Sequence, residues 1–440
     1  MNYHQTLDYL FAKLPMFTRV GAAAYKADLN NTIQLCKALD NPHTKFKSIH
    51  IAGTNGKGSV SHMLASVFQS AGYKTGLYTS PHLIDFKERI KINRDEIEES
   101  WVIEFVEKII PIIEEIQPSF FEVTVAMAFS YFAEKDIDIA IIEVGLGGLL
   151  DSTNIITPEL SIITNISFDH TNLLGSTLHE IAFQKSGIIK HKIPVVVGQS
   201  QNEIDTVFIE KATQCESEIF FADQSYSLIS HQLNHGFQII SLENNLTQER
   251  FQIELDLVGQ YQLKNCTTVI KSLDVLKQAG WNIQLKDILY GLKNVKLQTG
   301  LKGRFDILLK SPILIADVAH NEAGLTEVFN QINAMNFKQL HIILGFVKDK
   351  DVETALKIFP QSAKYYFTQA DIPRALPYYE LKELANTFSL NGDSYPTVNQ
   401  ALQSAFEFAE HDDMILVTGS FFIMADIYSY VSNFKNELKS

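Results

Sequence analysis

Cysteine is scarce and scattered in this chain. Cys36, Cys215 and Cys266 are odd in number and far apart. That excludes a disulfide framework and a CxxC metal site, and it fits a reducing compartment. Long apolar runs are missing too. The nearest to membrane length, IDIAIIEVGLGGLL at 137–150, is too short and too rich in glycine to span a bilayer. The N-terminal MNYHQTLDYLFAKLP lacks the apolar core of a secretion signal. Positive charge is in deficit, with 37 Lys and Arg against 51 Asp and Glu and a net charge of −14. Repulsion from polyanions then disfavours a general nucleic-acid or membrane-surface binder. Anionic small substrates remain open where a few cations are local. No short-period repeat or low-complexity tract interrupts the 440 residues, a length that calls for about two or three domains. These absences leave a cytoplasmic soluble enzyme or a nucleotide-dependent switch.

What the chain does have is the stretch Ile49–Gly72, IHIAGTNGKGSVSHMLASVFQSAG. Ile49, Ile51 and Ala52 read as a buried strand. Gly53, Thr54, Asn55, Gly56, Lys57, Gly58 and Ser59 form a glycine-rich turn, and Val60, Leu64, Val67, Phe68 and Ala71 then recur at helical spacing. Strand, glycine turn and helix hold phosphates because backbone N–H groups converge on the anion at the helix's positive end. Lys57 adds a mobile cation. The usual pattern places Ser or Thr directly after the lysine and another glycine earlier, whereas here Gly58 follows it and Ile51 takes the earlier position.

Along the chain, apolar runs alternate with helical periodicity. Helical patterns cover Trp101–Ile116, Glu122–Ala133 and Thr177–Lys185, and strands are expected at Lys74–Thr79, Asp138–Val144, Leu160–Ile166 and Ile193–Gly198. This alternation predicts a mostly parallel sheet covered on both faces. Shorter alternating segments at 216–258 predict antiparallel strands at one edge of the first domain, followed by a helix at Tyr261–Ala279. The polar segment Lys293–Lys302 reads as a linker. After it the alternation restarts, giving a second α/β domain. The expected division is a first domain at 1–296 that carries the glycine-rich turn, a linker at 297–302 and a second domain at 303–440.

Polar residues at strand ends carry the candidate chemistry. Glu143 closes an apolar run, where a phosphate-binding fold holds Mg²⁺ through oxygen ligands; a solvated strand end is the plain alternative. Ser80 and His82 follow another strand, and His170 a third. A lone histidine is more often structural, held by Asp169 or a backbone carbonyl, than a ligand. Lys185, near a helix end, is a favourable solvated cation, or an amine that takes up CO₂ to become an anionic oxygen ligand. In the second domain Arg304, the run Asp317-Val318-Ala319-His320-Asn321, the run Asp349-Lys350-Asp351 and Thr418-Gly419-Ser420 flank apolar strands.

The ordered set GTNGKGS, TSPHL with FKERI, FFE, EVGLGG with LDSTN, NISFDHTNLLG with IAFQKSGII, GRFD, DVAHN, KDKD and VTGS resembles the folylpolyglutamate synthase/dihydrofolate synthase family of Mur ligases, across nearly the whole chain. The resemblance implies a P-loop ATPase-type, mostly parallel α/β domain with a smaller Rossmann-like α/β domain, and ATP held between them. It implies that ATP phosphorylates the carboxylate of dihydropteroate or of a reduced folate's tail, and that the amine of L-glutamate attacks the acyl phosphate. By that likeness Gly53–Ser59 cradle the triphosphate with Lys57 on its outer phosphates. Ser80 and Glu143 serve one Mg²⁺; Glu143, His170 and a carbamylated Lys185 serve a second. Asn265, Arg304 and Asp317 hold ATP, and His320 acts at the phosphate or glutamate site. Thr18, Arg19, Val20, His82, Ser119, Phe120, Phe121, Glu122, Leu150, Asp151 and Ser152 fall on the acceptor side.

One position departs from the family. Its usual GGRLD carries arginine where Leu149 stands, which removes a cation with five donors. That bears on pterin and folate handling more than on the ligation chemistry. Only small-molecule partners are expected, with neither nucleic acid nor membrane, and the chain is expected to act as a monomer. Two rivals are a Mur-type ligase acting on a cell-wall precursor and a nucleotide switch that binds without ligating.

Overall fold

The computed structural model describes residues 1–16, 21, 26, 28–348 and 350–437. They divide into two compact units, Met1–Val258 with Gln262–Leu301, and Gly259–Tyr261 with Lys302–Ser440.

The first unit is built on eight strands: β1 (Lys47–Ala52), β2 (Thr75–Tyr78), β3 (Ile90–Ile92), β4 (Asp95–Glu96), β5 (Ile139–Glu143), β6 (Leu160–Ile163), β7 (Val195–Val197) and β8 (Ile219–Phe221). Their order is β4-β3-β2-β5-β1-β6-β7-β8. The run from β2 to β8 is parallel, with β3 and β4 antiparallel at one edge. Successive side chains on a strand point to opposite faces, and the central strands are apolar on both. Ile49, Ile51 and Ile141 pack with Val60, Leu64, Val67 and Phe68 of the helix Lys57–Ser70. Ala140 and Ile142 pack on the other side with Val123, Met127 and Phe129 of the helix Phe120–Glu134. This two-sided burial is why these strands read as continuous apolar runs.

Strands β9 (Tyr226–Asn234), β10 (Phe237–Asn244) and β11 (Arg250–Leu255) make a separate antiparallel sheet. Ile219–Phe221, within the stretch expected to be antiparallel, instead pairs in parallel with β7. The helix expected at Tyr261–Ala279 spans Gln262–Gln278.

The second unit carries β12 (Asp306–Lys310), β13 (Ile313–Ala316), β14 (Leu340–Leu344), β15 (Lys364–Phe367), β16 (Gly392–Ser394) and β17 (Met414–Thr418). The order is β12-β13-β17-β14-β15-β16, parallel throughout except for β12. Each unit is thus an α/β layer structure of the expected class. The polar segment read as a linker is helical over Val295–Thr299. Val295 and Leu301 are buried in the first unit's core, and Asp256 accepts a hydrogen bond from Lys296 N–H at 2.8 Å. Burial of two apolar residues outweighs the polar composition that suggested a connector. No helix among the described residues is long and apolar enough to cross a membrane.

Candidate functional site

Parallel strands present their C-terminal ends on one edge of the sheet, and the order β2-β5-β1-β6 sets four such ends side by side. Ser80 follows β2, Glu143 ends β5, the glycine turn follows β1, and the segment 164–170 follows β6. The loops beyond these ends form the crevice where open α/β sheets bind ligands.

The turn is held in shape from two directions. Gly53 has φ +144° and Gly56 has φ +86°, both in the region that side chains avoid. A Cβ on Gly53 would overlap the Thr164 hydroxyl, and one on Gly56 would overlap the Asn265 amide oxygen. Thr164 Oγ1 donates to Asn55 C=O at 2.6 Å, Asn55 N–H donates to Asn165 Oδ1 at 3.1 Å, and Thr54 N–H donates to Asn165 C=O at 2.9 Å. Thr54 Oγ1 donates to Ser167 C=O at 3.1 Å and accepts from Ser167 N–H at 3.0 Å. These partners lie on a strand end more than a hundred residues away, and the motif NISFDH gives no local sign that they brace the turn.

Gly56 starts the helix Lys57–Ser70, and no side chain caps it. Its first N–H groups lie at the helix's positive end, the arrangement that suits a phosphate. Lys57 Nζ donates to the carbonyls of Gly53 and Thr54, each at 3.1 Å. Ser59 is buried and its hydroxyl accepts from Gln262 Nε2 at 3.0 Å, while Gln262 Oε1 accepts from Asn265 Nδ2 at 2.8 Å. Ser59 thus helps dock the helix Gln262–Gln278 against the turn. Gly53→Ala should lower stability by about 1–3 kcal/mol, the cost of a forbidden backbone conformation. Thermal melts with and without nucleotide would check it, with a smaller nucleotide-induced shift expected in the variant.

Around the turn, Glu143 is 5% exposed and its Oε2 accepts from Ser80 N–H at 3.2 Å. Lys185 lies at the end of the helix Leu178–Ser186, is 4% exposed, and donates from Nζ to Gly53 C=O at 2.9 Å. It is therefore a buried group at the turn and not the solvated cation of the plain reading. His170 has φ +50°, and its N–H donates to Asp169 Oδ1 at 2.8 Å. A carboxylate and a hydroxyl near a phosphate-type turn fit Mg²⁺, which prefers oxygen ligands, takes few of them from protein and keeps several waters; the His170 imidazole is the poorer match. Gly58 supplies no hydroxyl after the lysine. Among the described residues no group of three or more His, Cys, Asp or Glu forms a metal cluster, in keeping with so sparse a set.

Several of the residues that the resemblance puts on the acceptor side touch one another or the loop after β5. Ser119 caps the helix Phe120–Glu134, its side chain accepting from Glu122 N–H, while Glu122 Oε2 accepts from Ser119 N–H at 2.5 Å and from Asn31 Nδ2 at 3.3 Å. The Phe121 ring lies so close to Gly145 that a Cβ there would overlap it. Arg89, absent from the sequence-based set, is buried with its guanidinium 5.4 Å from the Phe120 ring centroid. Its Nε donates to His82 Nδ1 at 2.8 Å. Burial, with the Arg89 charge adding to it, lowers His82 to about 3 and keeps it neutral. Asp151 is buried; its Oδ2 accepts from Leu146 N–H at 2.8 Å and its Oδ1 from Thr153 N–H at 3.0 Å. Burial pushes its carboxyl above the usual range, while the bonds from Thr153, Leu146 and Gly145 oppose that shift. Leu150 and Ser152 flank it, and Leu149 N–H donates to Gln184 C=O at 2.7 Å. Thr18, Arg19, Val20 and Asp349 lie outside the described residues.

In the second unit, β13 and β17 are parallel neighbours. Beyond their ends Gly419 N–H and Thr418 Oγ1 both donate to Ala319 C=O, at 2.9 and 3.1 Å, joining the DVAHN and TGS segments. Asp317 is buried and accepts from Tyr261 Oη at 2.6 Å, Phe305 N–H at 2.8 Å and Ala319 N–H at 2.8 Å. Burial raises its pKa, against the pull of those bonds and of the Arg304 charge. Tyr261, read from the sequence only as the start of a helix, is thus a ligand of Asp317. Arg304 donates from Nη1 to Gly303 C=O at 3.2 Å, and His320 Nδ1 lies 2.9 Å from Val318 C=O.

Residues 51–273 match the Mur ligase middle domain and residues 303–421 match the Mur ligase glutamate ligase domain. Over 387 residues the chain is 32% identical to folylpolyglutamate synthase of Lacticaseibacillus casei, covering 86% of this chain and 88% of that protein. Over 425 residues it is 31% identical to dihydrofolate synthase/folylpolyglutamate synthase of Bacillus subtilis, covering 91% and 94% respectively. Its fold superposes with a TM-score of 0.84 on Escherichia coli FolC in complex with DHPP and ADP, at 26% identity and 99% coverage of both chains.

Proposed function

The chain belongs to the folylpolyglutamate synthase/dihydrofolate synthase family of Mur ligases, and from that premise we propose that it joins L-glutamate to dihydropteroate, to the glutamate tail of reduced folates, or to both. It is an ATP-dependent ligase. The acceptor's carboxylate oxygen takes the γ-phosphoryl group as the bond to ADP breaks. The amine of L-glutamate then attacks the acyl carbon, the C–O bond breaks, phosphate departs with that oxygen, and the nitrogen loses a proton. A carboxylate is a poor electrophile, so most of the enzyme's work is to position the phosphoryl group and neutralise shifting charge.

The observation that carries this reading is the convergence on the Gly53–Gly56 turn of Lys57 and Lys185, with Glu143 and Ser80 joined on the neighbouring strand ends. Lys57 and the turn's N–H groups bind the phosphates, with Asn265, Arg304 and Asp317 assigned to the nucleotide. Ser80 and Glu143 would hold one Mg²⁺, and Glu143, His170 and Lys185, if carbamylated, would hold a second. Bound there, Mg²⁺ would supply charge neutralisation during phosphoryl transfer. Asp151, Ser152, Leu150, His82 and the segment Ser119–Glu122 face the acceptor in this reading, and Thr18, Arg19 and Val20 are assigned to it by the family resemblance alone. His320 assists at the phosphate or glutamate. With Leu149 in place of arginine, the balance between pterin and folate acceptors rests on the remaining cations of that side, of which Arg89 is buried at Phe120.

The test is phosphate release from ATP with Mg²⁺, using dihydropteroate or tetrahydrofolate as acceptor, with and without L-glutamate. Release that requires ATP, acceptor and glutamate together is expected. Release indifferent to glutamate, or seen only with a UDP-sugar peptide acceptor, would overturn the reading.

A further inference from the structure

His50 lies in the middle of β1, fully buried, on the face shared with Ala140 and Ile142. Its Nε2 is 2.8 Å from Thr153 Oγ1, and Thr153 Oγ1 is 2.5 Å from Asp151 Oδ1. We propose that His50 is a positioning residue for the acceptor side, acting through the Thr153 hydroxyl to fix the Asp151 carboxylate. This rests on the assignment of Asp151 to the acceptor made above.

The direction of the hydrogen bonds follows from proton counting. Both Asp151 oxygens accept backbone N–H groups, Leu146 on one and Thr153 on the other, so the carboxylate is an acceptor at each. Thr153 has one hydroxyl proton, and it goes to Asp151. Its oxygen then accepts, and His50 must donate from Nε2. Burial and the nearby Lys190 charge lower His50 to about 3, so the ring is neutral and carries a single proton. With that proton on Nε2, the buried Nδ1, which has no hydrogen-bond partner among the described residues, is a bare ring nitrogen and not an orphaned donor. An imidazole with one nitrogen unsatisfied is a poor choice for packing alone, since leucine would fill the site without that cost.

The consequence reaches the whole loop between β5 and the turn at 152–155. Asp151 ties Leu146 at one end to Thr153 at the other, and it starts the short helical turn Ser152–Ile155. Asn154 Nδ2 donates to Leu149 C=O and to Gly187 C=O, both at 3.0 Å, which anchors the same loop to the end of the Lys185 helix. If the Asp151 carboxylate loses its donor from Thr153, the segment Leu149–Ser152 loses its orientation while the glycine turn keeps its own bracing from Thr164 and Asn165.

That contrast supplies the test. Steady-state kinetics would be measured for His50→Leu, Thr153→Val, their double variant, His50→Gln and Asp151→Asn, each checked for folding by circular dichroism. His50→Leu and Thr153→Val are each expected to raise KM for dihydropteroate by roughly tenfold, the worth of one hydrogen bond. KM for ATP should stay within about twofold. The double variant should be no worse than either alone, because both break one relay. His50→Gln, which keeps an N–H donor, should recover most of the acceptor affinity. Should His50→Leu fail to fold, Thr153→Val carries the same reading. The relay is overturned if KM for ATP rises as much as KM for the acceptor, if the two effects add, or if His50→Gln is as impaired as His50→Leu. An acceptor KM raised by Asp151→Asn but not by His50→Leu sinks the relay alone. An acceptor KM unmoved by Asp151→Asn sinks the role of Asp151 and the relay with it.

Discussion

Lys57→Ala is expected to lower glutamate-dependent phosphate release by on the order of 10³-fold, the scale at which a preorganised charge at the reacting group acts. Lys57 Nζ rests on the Gly53 and Thr54 carbonyls, within the turn whose N–H groups face the helix's positive end. From that position a rotation of a flexible four-carbon stem brings the ammonium onto an outer phosphate. The fold should survive the change. The helix Lys57–Ser70 is anchored by Val60, Met63, Leu64, Val67 and Phe68 in the core, and the turn by Thr164, Asn165 and Ser167. The variant should therefore show a wild-type circular dichroism spectrum and a thermal midpoint within a few degrees. Activity within tenfold of wild type would remove Lys57 from the chemistry. Lys57→Arg should not restore the rate, since the bulkier planar guanidinium does not reproduce a compact, rotatable ammonium.

The turn was legible because local signals agree there: an apolar run, glycines where φ must be positive, and helical periodicity directly after. The end of β5 at Glu143 was legible for a related reason, because an acid there closes an apolar run. What sets the turn's shape was not legible. Thr164, Asn165 and Ser167 act through side-chain and backbone contacts across more than a hundred residues, and no spacing rule reports such contacts. The segment Phe86–Arg89 reads as a polar stretch just beyond a strand end, but nothing in it singles out Arg89; its burial against Phe120 and His82 is a tertiary fact. The same is true of Tyr261. It belongs to the second unit with Gly259 and Gln260, while the helix that begins at Gln262 belongs to the first. A chain that crosses between units and returns within three residues leaves no compositional trace. At 295–299 the reverse occurred: polar composition suggested a connector, and buried Val295 with an Asp256 acceptor made a helix.

Glu143→Gln is the second large effect expected, a loss of roughly 10²–10³-fold in turnover with a higher Mg²⁺ concentration needed for half-maximal rate. The substitution keeps the shape and an oxygen able to accept from Ser80 N–H, but removes the anionic charge that a hard divalent cation requires. Its effect on stability has the opposite sign from a structural role. A carboxylate only 5% exposed at the end of β5 costs free energy to bury, so the neutral amide should leave the nucleotide-free protein as stable as before or more so. A purely structural Glu143 predicts the reverse, with a lowered melting temperature and a rate that recovers once folding is restored at lower temperature. Melting curves without metal or nucleotide, set beside Mg²⁺ titrations of the rate, separate the two. A destabilised variant with an unchanged Mg²⁺ requirement would take Glu143 out of the metal site and leave the turn without its anionic ligand.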